Sequence, residues 1–104
     1  MAKQLKNSNR QEKDFFYIND YGYYTIRIDA TRDKTIEMID YAVAHSQGCV
    51  YKQDTKIEYD EWMVIREFWI KKISPTSSFG VRLGFSNMAD VLTFTLRFKG
   101  FSYE

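Results

Sequence analysis

Apolar and polar residues alternate most cleanly near the C-terminal end of the sequence. Phe79, Val81, Leu83 and Phe85 fall at every second position, and Leu92, Phe94, Leu96 and Phe98 repeat the pattern a few residues later. Side chains on a strand point alternately to its two faces. The spacing therefore predicts a hairpin with strands over 79–86 and 90–99, joined by the polar run Ser86 to Asp90. One face of that hairpin is apolar. The other carries Arg82, Gly84, Thr93, Thr95, Arg97 and Lys99, and is either a solvated outer face or a surface for phosphate contacts.

The same reasoning predicts an N-terminal hairpin. Phe15 to Ile18 forms a short strand, and Asn19-Asp20-Tyr21-Gly22 has turn chemistry. The next strand, Tyr23 to Asp29, places Tyr24, Ile26 and Ile28 on one face and Tyr23, Thr25, Arg27 and Asp29 on the other. From Asp33 to Ser46 the period changes to that of a helix, with Ile36, Ile39, Ala42 and Val43 on one side. Thr31 or Asp33 is suited to cap its start, and Gly48 to close its end. Cys49 to Tyr59 fits a strand or short hairpin around a Lys-Gln-Asp-Thr-Lys turn. Over Asp60 to Ile73 the alternation fails, whereas Trp62, Ile65, Trp69 and Ile73 align on a helix that Ser74-Pro75 terminates. Its β-branched and aromatic content also fits a buried strand. Val64 and Phe68 lie off the main stripe, either under another element or exposed as a contact patch.

These elements give an α+β class, in the order ββαβ(β)αββ. An antiparallel sheet built from two hairpins is expected to carry two helices on one face. Residues 1–14 contain one leucine and no periodicity, and read as a flexible basic arm ahead of a single domain over 15–104.

Composition adds limits. The chain has 104 residues, enough for one modest core without disulfides or metal. Eight Phe, eight Tyr and two Trp make it rich in aromatics, and its net charge of +1 makes the whole molecule neither a polycation nor an acidic mimic. The single cysteine, Cys49, has no internal partner, and no apolar run approaches membrane-spanning length, so a cytoplasmic, membrane-free protein is expected. Charge is uneven. Lys3, Lys6, Arg10 and Lys13 make the N-terminus basic, residues 54–67 are acidic, and residues 71–99 are again basic.

Chemistry is sparse. The only histidine, His45, falls in the last turn of the first helix, where the dipole favours it. With Cys49 four residues away and no further pair, it makes no metal site. No nucleophile–base constellation, phosphate-cradling glycine loop or zinc spacing is present, so neither enzyme activity nor a cofactor is expected. Lys99-Gly100-Phe101-Ser102-Tyr103 echoes the start of an RNA-recognition-motif signature, but the order of elements is not that of the fold.

What remains is binding. Interfaces enrich Tyr, Trp and Arg. The leading expectation is a small non-catalytic regulator or inhibitor that contacts another protein, of the motif-poor style common in phages and mobile elements. The alternative is a single-stranded or structured nucleic-acid binder using the basic hairpin face and the arm. The residues singled out for binding are Arg82, Arg97, Lys99, Phe101, Tyr103, Tyr21 and Tyr23. Pairing of two copies through an open sheet edge is a further possibility.

Overall fold

The structure, a computed structural model, describes residues 22–98 and the backbone of Tyr17–Ile18. Among them are β1 (Tyr17–Ile18), β2 (Tyr24–Thr31), α1 (Arg32–His45), β3 (Val50–Lys52), β4 (Thr55–Lys56), α2 (Tyr59–Lys72), β5 (Ser78–Phe85) and α3 (Met88–Arg97). The sheet is antiparallel throughout, in the order β1-β2-β5-β3-β4. The class is α+β as the sequence predicts, with three helices among the described residues rather than two, and a helix over Met88–Arg97 where a strand was expected.

The turn ahead of β2 uses Gly22 at a φ of 90°, a left-handed conformation that glycine adopts without cost. β2 then runs directly into α1. Thr31 serves both, as the last strand residue and as the helix cap, and its Oγ1 accepts from the Lys34 N–H at 3.2 Å. Gly48 does not close α1, contrary to expectation. The helix ends at Ser46 in extended backbone, and the Gly48 N–H instead donates to the Asp90 carboxylate at 2.8 Å. The β3–β4 hairpin turns on Gln53 and Asp54, with φ of 51° and 70°. Two left-handed residues between paired strands match the twist of the sheet.

β5 is the centre of the sheet. It pairs with β2 from Tyr24↔Phe85 to Thr31↔Ser78, and with β3 at Val50↔Phe85, Tyr51↔Gly84 and Lys52↔Leu83. The three described helices cover the face that carries Ile26, Ile28, Val81, Leu83 and Phe85, each no more than 6% exposed. α1 lies between α2 and α3, which explains its wide buried arc: Thr35 and Met38 are enclosed along with Ile36, Ile39 and Ala42.

Two polar links fasten α1 to α2. Arg32, only 8% exposed, donates to the carbonyls of Ile70 and Ile73 at 3.1 and 2.7 Å, satisfying the end of α2. Asp40 accepts from Trp62 Nε1 at 2.7 Å and from Arg66 Nε at 3.0 Å. Asp40 also raises the pKa of the Arg66 guanidinium, chiefly through this hydrogen bond.

The expected second strand of the C-terminal hairpin is α3. Asn87 Oδ1 caps it by accepting from the Ala89 N–H at 2.9 Å. Val91, Phe94 and Phe98 form its buried ridge, at helical rather than strand spacing, while Leu92 and Leu96 are exposed. The Thr93 and Thr95 hydroxyls donate to the carbonyls of Ala89 and Leu92, so these β-favouring residues are satisfied within the helix.

Candidate binding surface

Every described helix lies on one side of the sheet; on the other face Arg27, Asp29 and Lys56 are exposed, Tyr51 and Arg82 are half-buried, and Thr25 is buried. The rows of this face follow from the register. Thr25, Gly84, Tyr51 and Lys56 form one row, Arg27 and Arg82 the next, Asp29 and Gly80 the third.

In the first row Gly84 leaves a bare strip of backbone. The rings of Tyr23 and Tyr51 stack across it, with centroids 3.6 Å apart and planes within 15°. A Cβ at position 84 would lie 3.2 Å from Tyr23 Cδ2 and 3.3 Å from Tyr51 Cβ. The absent side chain is therefore what lets the two rings settle onto the sheet. Burial pushes the Tyr51 hydroxyl above its ordinary pKa, and the neighbouring Cys49 adds to the shift. Lys56, opposite Tyr51, is raised in turn, first by its hydrogen bond to Glu58.

In the second row two arginines stand directly opposite each other. Like charges at a cross-strand pair repel, and each is turned to a carboxylate instead. Arg27 Nη2 lies 3.6 Å from Asp29 Oδ1, and Arg82 Nη2 lies 3.6 Å from Asp54 Oδ2. Gly80 again makes room, since a Cβ there would sit 3.1 Å from Arg27 Nη2. Gln53 extends the ladder beyond β3: its N–H donates to the Arg82 carbonyl at 3.0 Å, and its Oε1 accepts from the Arg82 N–H at 2.9 Å. A shallow groove of about 120 Å³ between Arg27, Gln53, Gly80 and Arg82 lies in this row.

Of the residues the sequence singles out, Tyr23 and Arg82 are on this face. Arg97 is not. It belongs to α3 on the helical side, 3.7 Å from Glu37 and with its guanidinium over the rings of Tyr41 and Phe98. A common basic face of Arg82 and Arg97 does not exist, because that face required 90–99 to be a strand. Tyr21, Lys99, Phe101 and Tyr103 lie outside the described residues, as does the proposed N-terminal arm. Arg27, Tyr51, Gln53 and Asp54 were not among the sequence candidates. Alternation places Arg27 on the outward face, but only the pairing of β5 between β2 and β3 brings it beside Arg82 and Tyr51.

His45 stacks on Tyr41 with its Nδ1 3.1 Å from the Tyr41 carbonyl, a structural position at the end of α1. Among the described residues no group of three or more His, Cys, Asp or Glu side chains gathers where a metal could be held, and no helix is long and apolar enough to cross a membrane.

On the helical side, α2 exposes Val64 and Phe68, and α3 exposes Met88, Leu92 and Leu96. No family model, curated protein or solved structure matches the chain.

Proposed function

We propose that the protein acts without catalysis, as a small regulator or inhibitor, by contacting another protein through Tyr23, Tyr51, Arg27 and Arg82 on the sheet face that no described helix covers. The observation that supports this reading is the Tyr23–Tyr51 stack beside Arg27 and Arg82, each already matched to a carboxylate. Rigid aromatic and arginine side chains are the groups that anchor protein interfaces. The paired acids make the surface charge-balanced, which suits a protein of mixed charge better than a run of phosphates. Captured on immobilised wild-type protein, a stoichiometric partner should be lost in Arg82→Glu and in Tyr51→Ser, with both variants keeping the wild-type circular dichroism spectrum. Equal capture by both variants would move the contact to another surface.

The same row supports a second reading, a single-stranded nucleic acid with phosphates at Arg27 and Arg82 and a base on the tyrosines. Asp29 and Asp54 oppose it. Binding of this kind weakens steeply as salt rises, and Arg82→Ala should reduce the slope by about one. No oligonucleotide bound at low salt would eliminate it.

A further inference from the structure

α2 turns one side to the core through Trp62, Ile65 and Trp69, and another to solvent. At the centre of the outer side are Val64 and Phe68, 70% and 56% exposed and one helical turn apart. Asp60 and Glu61 lie at the N-terminal end of this side, and Lys71 and Lys72 at its C-terminal end. All four are exposed, and none joins an ion pair among the described residues; Glu61 only accepts from the Glu58 N–H.

The arrangement is self-complementary. An isologous contact must match a surface to its own image turned by a two-fold axis. If the axis crosses α2 beside Arg66, midway between Val64 and Phe68, the helix meets its copy antiparallel. Val64 then faces Phe68 of the second copy. Asp60 faces Lys71 and Glu61 faces Lys72, because in antiparallel helices each flank meets the same flank of its partner. Acids at one end and bases at the other also suit the helix dipole, but that does not account for two large apolar residues in water between them.

We infer that α2 is a homodimer contact: two copies of the chain pair antiparallel through Val64 and Phe68, with Asp60 and Glu61 of each opposite Lys71 and Lys72 of the other. One helix face is smaller than a standard stable interface, so the dimer is weak and reversible, with a Kd on the order of 100 µM. This surface shares no residue with the sheet face that carries Tyr23, Tyr51, Arg27 and Arg82, so it stands or falls separately from the proposed function.

Sedimentation velocity of the full chain, from about 10 µM to 1 mM, tests it. The wild type should shift from monomer to dimer across that range. The double substitutions Asp60→Lys/Glu61→Lys and Lys71→Glu/Lys72→Glu should each leave a monomer, because each makes both ends of the contact alike in charge. Mixed in equal amounts, the two variants should dimerise at least tenfold more tightly than either alone. Val64→Asp/Phe68→Asp, at exposed positions and with its fold checked by circular dichroism, should be monomeric throughout. A wild type that stays monomeric, a dimer that persists in Val64→Asp/Phe68→Asp, or no recovery on mixing would each overturn the inference.

Discussion

At the scale of single residues, Asp90 joins two parts of the chain that are far apart in sequence. Its carboxylate accepts from the Gln47 N–H, 3.0 Å from each oxygen, and from the Gly48 N–H at 2.8 Å, while the side chain is nearly enclosed. Gln47 and Gly48 are themselves exposed, so the carboxylate holds their N–H groups in competition with water. Hydrogen bonds to a charged group contribute more than neutral ones. Asp90→Ala should cost about 2–3 kcal/mol in urea unfolding, and Asp90→Asn less, because its amide oxygen still accepts. A loss under about 0.5 kcal/mol would show that water replaces the carboxylate freely. Tyr51 sets a second expectation, in pH. Its folded-state pKa lies above the ordinary 10.0, mainly through burial. The unfolded chain gives up this proton first, at about pH 10. The contribution is complete below that pH and is lost as pH rises through the raised pKa of the folded state. Thermal midpoints from pH 9 to pH 11.5 should fall less in Tyr51→Phe than in the wild type.

At the scale of elements, α3 shows where reading the sequence succeeds and where it stops. β2, β5, α1 and α2 are close to expectation, because each has one period: alternation in Tyr24, Ile26 and Ile28, and helical spacing in Ile36, Ile39 and Ala42. The segment over 88–98 carries two periods at once. Leu92, Phe94, Leu96 and Phe98 alternate, and Thr93 and Thr95 favour strands, while Val91, Phe94 and Phe98 fit a helix. Asn87 as a cap and Asp90 in the first turn were the local signals for the helix. The choice was settled by the core, which seats the second set and leaves the first half outside. The candidate surface was less legible still, since Arg27, Arg82 and Tyr51 are neighbours only once β5 inserts between β2 and β3. Substitution separates the two readings of 88–98. Phe94→Ala should cost about 3–5 kcal/mol, and Leu96→Ala less than about 0.5 kcal/mol. Comparable losses at the two positions would restore the strand.

At the scale of the whole molecule, the last described strand in sequence is the middle strand of the sheet. Both long crossings, β2–α1–β3 and β4–α2–β5, step over one strand position, so neither half of the sheet holds together alone. Among the described residues, β2 without β5 keeps only β1 as a partner, and β3 only the two-residue β4. A chain ending at residue 77 also lacks Val81, Leu83, Phe85, Val91, Phe94 and Phe98 from the core. It should show no cooperative thermal transition by circular dichroism. A cooperative transition in that fragment would mean that the helices and outer strands are stable without the centre of the sheet.

This topology matters during synthesis. At about 5–20 residues per second, β2 leaves the ribosome several seconds before its main partner exists. An apolar segment with free edges, waiting that long, is an invitation to aggregate. In Tyr24–Thr31 the hazard is interrupted at every second place, and two of the interruptions are Arg27 and Asp29, which end as an ion pair on the finished surface. On the nascent chain the same two charges stand where gatekeepers stand, inside an apolar strand whose central partner has yet to be made.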